Sequence, residues 1–217
     1  MEGLIYKVQP YLESARLLFV YTPNGKKTLL AQGSQKINQS SRVLAQYLTH
    51  IEFKDQNKSF ITLAESKIIN DFSKIKEDYA QTKSAALILE IIDQLIVDNY
   101  NHQHIFQEML LALNGDNMVT SSYSFALKIL KPLGYELNLN ADGRKVLGFN
   151  IDKGGLVYKG ETDIIDLDLQ ASITLLKLYY KPYHELEEHE SEILTKIKEF
   201  ILKYYQFHLQ TTLKNLQ

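Results

Sequence analysis

A chain of 217 residues with 45% hydrophobic and 23% charged content can bury a sizeable core as one large domain or two small ones. It has no apolar run of about 18 residues to cross a membrane. Zero cysteines exclude disulfides and thiolate metal sites, and the N-terminus does not read as a secretory signal, so a cytoplasmic protein is expected. The formal net charge of −2 hides an asymmetry, because residues 1–60 carry eight Lys/Arg against four Asp/Glu, a local +4 ahead of an acidic remainder. Any polyanion is therefore expected at the front.

Residues 3–65 read as β-structure. Short runs rich in β-branched, aliphatic and aromatic residues cover Gly3–Gln9, Arg16–Thr22 and Lys27–Gln32. Pro23-Asn24-Gly25-Lys26 supplies a hairpin turn between the last two. His50–Phe53 and Ser59–Leu63 are expected to pair around Asp55–Lys58. About five short strands with tight turns match the size of an OB-type barrel. The polar segment Gly33–Ser41 reads as a loop.

From about residue 74 apolar positions repeat at three and four, the period of an amphipathic helix. Tyr79–Val97, Ile105–Leu113 and Ser124–Leu133 follow this mode, interrupted by Asn114-Gly115-Asp116-Asn117 and closed by Pro132-Leu-Gly134. Residues 137–160 are short and Gly-rich. Helices resume over Asp168–Tyr180 and Glu190–Leu213, with Pro182 between them. The expected fold class is α+β: an N-terminal OB-fold β-barrel in residues 1–70, then an all-helical domain in 71–217 carrying a small Gly-rich hairpin insertion at 137–162.

The chemistry of catalysis is missing. There is no Gly-x4-Gly-Lys-Ser/Thr to cradle a nucleotide and no Gly-x-Ser-x-Gly nucleophile turn. His102 and His104 are two apart, which places them on different helix faces, and no third ligand is near in sequence. His184 and His189 sit among glutamates in a solvated turn. The chain is not expected to be an enzyme, and no cofactor or metal is expected.

A small barrel can bind single strands by tracking phosphates with cations and stacking bases on aromatic rings. Lys7, Arg16, Lys26, Lys27, Lys36 and Arg42 are the candidate DNA-binding residues. Lys26 and Lys27 lie at the hairpin tip, and Lys36 and Arg42 flank the polar loop. Tyr6, Tyr11 and Tyr21 either offer ring faces or pack into the core. Arginine is scarce, three against 21 lysines, so lysine is expected to carry most phosphate contacts.

Several stretches together resemble the RecO family of bacterial recombinational-repair proteins. They are Tyr11-Leu-Glu-Ser-Ala-Arg-Leu-Leu18, Thr22-Pro-Asn-Gly-Lys26, Ala31-Gln-Gly33 with Lys36, Leu44 with Gln46 and Tyr47, and Leu63-Ala-Glu65. Phe106 with Leu110–Leu113, Phe125 with Leu130 and Leu133-Gly-Tyr135, and Phe207-His-Leu with Leu213 continue the match through the helical body. The resemblance implies a mediator of DNA repair and recombination that binds single- and double-stranded DNA and anneals complementary strands. With RecR as partner it would help load RecA onto DNA coated by the single-strand-binding protein SSB. It also implies a groove for the acidic, apolar SSB C-terminal tail, for which Phe125, Lys128, Lys131 and Tyr135 are candidates. Family members often carry four zinc-binding cysteines where this chain has Leu139, Asp142, Tyr158 and Glu161, so the Gly-rich insertion is expected to be a degenerate zinc-finger-like hairpin held by Leu147, Phe149, Leu156 and Tyr158. The competing reading is a non-catalytic protein–protein adaptor whose OB barrel binds a protein ligand.

Overall fold

The computed structural model describes residues 1–35, 41–55, 61–63 and 65–217. The fold is mixed α+β, with an N-terminal, mainly antiparallel sheet followed by helices. Two compact units are present: Met1–Thr82 with Leu89–Glu108, and Lys83–Ile88 with Met109–Gln217.

In the first unit, β1 (Glu2–Tyr11), β2 (Ala15–Thr22) and β3 (Gly25–Ala31) form a meander, with Leu4 opposite Tyr21 and Leu18 opposite Leu29. Thr22 pairs with Gly25, so Pro23 and Asn24 are the turn itself. Gly25 takes the positive φ, +104°, and the Thr22 hydroxyl ties the turn by donating to the Gly25 carbonyl at 2.8 Å. That is one residue later than an Asn-Gly corner would place it.

Beyond the meander lie β4 (Thr49–Glu52), β5 (Ile61–Thr62) and β6 (Lys67–Asn70). The strand order is β5-β3-β2-β1-β4-β6, with β5 parallel to β3 and the other ladders antiparallel. The expected pairing of His50–Phe53 with Ser59–Leu63 is not seen among the described residues; β4 pairs with β1 and β6 instead. Ser59 lies outside the described residues. Alternate side chains of the meander point inward, and Ile5, Leu18, Val20, Leu29, Ile51 and Phe53 form a buried cluster with Ala31 and Ala45. The unit also contains the short α1 (Ser41–Leu44) and α2 (Ser73–Lys76), together with parts of α3 (Tyr79–Leu95) and α4 (His102–Leu113).

The second unit holds α5 (Met118–Lys128), α6 (Leu169–Tyr180) and α7 (Ser191–Leu209) around a three-stranded sheet of β7 (Val146–Asn150), β8 (Gly155–Tyr158) and β9 (Leu167–Asp168). Asn117 and Asp168 cap α5 and α6 by accepting from the backbone N–H groups of Thr120 and Ala171. α5 ends at Lys128, and residues to Gly134 continue as turns; Gly134 has φ +86°. The core stacks Phe149 edge-on against Phe200 at 5.2 Å between ring centres. Gly148 cannot be replaced without displacing backbone, because a Cβ there would collide with the Leu167 carbonyl of β9.

Candidate nucleic-acid interface

The meander places the candidate cations of the first unit on known strands, and the structure shows what each does in the free chain. Lys7 on β1 pairs with Asp93 of α3 at 3.1 Å, its ammonium 5.4 Å from the centre of the Phe19 ring. Lys26 on β3 donates to the Asp93 backbone carbonyl at 2.9 Å and lies 5.8 Å from the Tyr6 ring centre. Burial lowers the pKa of the Lys26 ammonium below its ordinary value, against the opposing pull of Asp93 and Asp98. Lys7 and Lys26 thus converge on one helical residue that the local sequence pattern marks only as a polar position in an apolar run.

Lys27, the next residue on β3, faces the other way and donates to both carboxylate oxygens of Asp55 at 2.7 Å. Arg16 on β2 is half-buried and uses one guanidinium nitrogen to donate to the Ala45 carbonyl at 3.1 Å. A guanidinium carries five N–H donors, so this bond leaves capacity for a phosphate. Arg42, on α1, is exposed. Lys36 lies outside the described residues. The aromatic candidates separate: Tyr6 and Tyr21 are buried, and Tyr21 bonds His102 at 3.1 Å, which leaves Tyr11 as the one with an accessible ring.

The four candidates for a partner groove are in the second unit and do not make one exposed surface. Phe125 is only 1% exposed, so it is a core residue and offers a partner nothing to touch; the periodicity that marked it as apolar reflects packing of α5. Lys128 donates to the Lys181 carbonyl at 2.7 Å and sits 4.0 Å from the Tyr183 ring centre. Lys131 is exposed and paired with Glu136 at 2.9 Å. Tyr135 is partly exposed and rests against His208 at 6.3 Å between ring centres.

Comparison with known proteins decides the family. A family model described as "Recombination protein O C terminal" matches residues 76–217. The chain belongs to the RecO family. A DNA repair protein RecO from Clostridium perfringens is 30% identical over 147 residues, covering 64% of this chain and 59% of that protein. The RecO of Bacillus mycoides is 26% identical over 140 residues, 62% of this chain and 56% of its own length. A Bacillus cereus RecO (strain AH187) aligns over 194 residues at 26% identity, 83% of this chain and 78% of that one. The first two alignments thus span less than two thirds of the relatives they match.

The four positions at which the resemblance implies zinc ligands do not suit a metal here. Leu139 is buried and apolar. Arg144 donates to Asp142 at 2.7 and 2.8 Å and to Glu161 at 2.9 Å, and its guanidinium carbon stands 4.1 Å from the centre of the Tyr158 ring. Lys153 reaches the second Glu161 oxygen at 2.8 Å. The Lys153 and Tyr158 N–H donors, then Arg144, lower the Glu161 pKa to about 2. Two carboxylates already filled by cations, a buried leucine and a covered phenol ring make no zinc site. Among the described residues no cluster of three His, Cys, Asp or Glu could hold a metal ion. Nor, among them, is any helix long and apolar enough to cross a membrane.

Proposed function

We propose that this chain is a mediator of DNA repair and recombination that binds single- and double-stranded DNA, anneals complementary strands and, with RecR, helps load RecA onto SSB-coated DNA. The match of residues 76–217 to the RecO C-terminal family model carries this reading. None of these tasks breaks or makes a covalent bond, and the sequence offers no nucleotide-binding or nucleophile motif, so no catalytic residue is assigned.

The DNA would lie on the first unit, which we read as an OB-type barrel. β5 and β6 sit at opposite ends of the strand order yet are separated in the chain by residues 63–66 alone. A flat six-stranded sheet would hold its outer strands about 24 Å apart. The chain from Thr62 to Lys67 spans at most roughly 17 Å when fully extended. The sheet must therefore curl its two edges toward each other, which supports the barrel reading.

Arg16 and Arg42, joined by Lys27 and Lys36, are the cations we assign to the phosphates. Lys27 has to leave Asp55 to take part, and exchange is cheap because an exposed ion pair contributes about 0–1 kcal/mol. Lys7, whose ion pair with Asp93 is as exposed as that of Lys27, can exchange in the same way, whereas Lys26, half-buried on the Asp93 carbonyl, sets the local potential rather than gripping the strand. We further propose Lys131 and Tyr135 as the exposed remainder of a site for the SSB tail, with Lys128 at its edge.

The test is fluorescence anisotropy with labelled oligonucleotides at low and rising salt, together with ATP-free annealing of complementary strands. Binding should weaken steeply with salt, and changing Lys27, Lys36 and Arg42 together to Glu should remove it. Absence of binding to either strandedness at low salt, with RecR present or not, overturns the reading.

A further inference from the structure

The β1–β2 turn breaks two rules of folding at one residue. Tyr11 pairs with Ala15 and leaves the loop Leu12-Glu13-Ser14, in which Leu12 has φ +51° and is 79% exposed. A branched aliphatic side chain disfavours the left-handed region, where its Cβ crowds the backbone. The other non-glycine residues of positive φ are ordinary by comparison: Leu48 and Phe72 are buried, so packing offsets the strain; Gln210 closes α7 at its C-cap; and Glu65 is polar and solvated. Among the described residues, Leu12 is the large apolar side chain that combines strain with full presentation to solvent.

The turn is also held in place. The Gln35 side chain donates to the Ala15 carbonyl at 2.5 Å and reaches the Leu12 carbonyl at 3.4 Å, while the Gln35 N–H donates to the Ser14 carbonyl at 3.1 Å. Strain that the surroundings over-determine in this way is the kind found at binding sites. Next to Leu12, Tyr11 is 38% exposed. Arg16 stands directly across the hairpin from Pro10, and its guanidinium bonds Ala45, three residues on from the exposed Arg42.

We propose that the Tyr11–Leu12 tip is a stacking element for the unpaired bases of a single strand. This rests on the DNA-binding reading and assigns it a contact that phosphate-binding cations cannot supply. A flat ring beside an aliphatic wedge suits the face of any base, which is the sequence-tolerant contact that single-strand binders use. The flanking arginines match the adjacent phosphates in charge. Glu13, exposed on the same turn, repels phosphate, so the tip meets bases rather than backbone. A paired base inside a duplex has no free face, so the tip discriminates between the two forms of DNA.

The experiment compares the full chain with Leu12→Gly and Tyr11→Ala, using a labelled oligothymidylate, the matching duplex, and a single strand carrying one 2-aminopurine. Glycine accepts positive φ, so Leu12→Gly keeps or raises the thermal midpoint and cannot act by unfolding the turn. Each variant should bind the single strand about tenfold more weakly while duplex affinity and the salt slope stay the same, and the 2-aminopurine signal change should shrink. Unchanged single-strand affinity in both variants, or a parallel loss on duplex with a shallower salt slope, overturns the stacking role. If those variants bind DNA as the parent does but lose capture of a protein such as RecR, the tip is a protein contact and the proposal falls. In either case the DNA reading stands if the Lys27, Lys36 and Arg42 variant has lost binding. If the parent chain binds no oligonucleotide at low salt, it is the DNA reading itself that has failed.

Discussion

Lys27 holds Asp55 with two bonds of 2.7 Å, so in the free chain a cation assigned to phosphate is already occupied by a carboxylate. The pair is partly exposed and gains little from its Coulomb attraction in water. Removing the competitor should therefore help DNA rather than harm the fold. Asp55→Asn is expected to raise single-strand affinity about threefold at low salt and to steepen the salt dependence by up to about 0.7 in log–log slope, one more phosphate neutralised. Anisotropy titrations at several salt concentrations measure both numbers. A weaker complex would mean that Asp55 orders the surface instead of blocking it.

The resemblance implies one groove containing Phe125 and Lys131, and the structure gives them opposite predictions. Phe125→Ala opens a hole in the second unit and should cost roughly 3–5 kcal/mol in urea unfolding. Lys131→Glu exchanges an exposed charge paired with Glu136 and should leave the urea midpoint in place. If an SSB-tail peptide still binds to Lys131→Glu as tightly as to the parent, this part of the surface is not its site.

The meander was legible because its strands alternate and its turn has Pro-Asn-Gly, and the later helices because their apolar positions repeat at three and four. The β6 strand is not legible in the sequence: Lys67–Asn70 has two polar ends, and its pairing with β4 is a long-range choice that no local pattern announces. The apolar spacing starts α5 too late because Met118–Ser124 carries Thr and several Ser, yet Thr120, Ser121, Ser122 and Ser124 are all buried, and Ser124 and Ser122 satisfy themselves by donating to the carbonyls of Leu178 and Val119. The cationic candidates were found by residue type, but their partners were not. Asp93 sits in a helical run far beyond the sheet in sequence, and only the tertiary fold of the first unit brings it to Lys7 and Lys26. Composition thus suggested a free basic face where the fold has built a partly neutralised one.

Tyr205 tests how much a single buried hydrogen bond holds α7 to α5. Its side chain is fully buried, and its hydroxyl donates to the Ala126 carbonyl at 2.6 Å. Burial raises the phenol pKa well above its ordinary value, so it remains a donor throughout the working pH range. Tyr205→Phe keeps the ring and deletes that donor. The expected cost is about 1 kcal/mol, rising toward about 3 kcal/mol if the carbonyl finds no other partner. Urea unfolding with an unchanged m-value would measure it cleanly; no loss at all would show that the bond adds nothing over solvation in the unfolded chain.

Arg144 and Glu161 should make the β7–β8 hairpin sensitive to acid and indifferent to metal. Glu161 accepts from Lys153, from the Tyr158 N–H and from Arg144, and its pKa falls from the ordinary 4.5 to about 2. A carboxylate with a depressed pKa in the folded state adds stability that is complete above its unfolded value and is lost as pH falls through the folded one. The advantage of the parent chain over Glu161→Gln should therefore be constant from neutrality down to about pH 4.5 and shrink toward zero near pH 2, as read by the difference in their thermal midpoints. Arg144→Ala should show a smaller version of the same change, because Lys153 and the Tyr158 N–H still reach Glu161. Because cations of the chain itself fill the carboxylates, adding zinc or a chelator should not shift the midpoint of the parent chain. A rise in midpoint with zinc would reveal that metal can displace Arg144, and would return the hairpin to the metal-dependent kind.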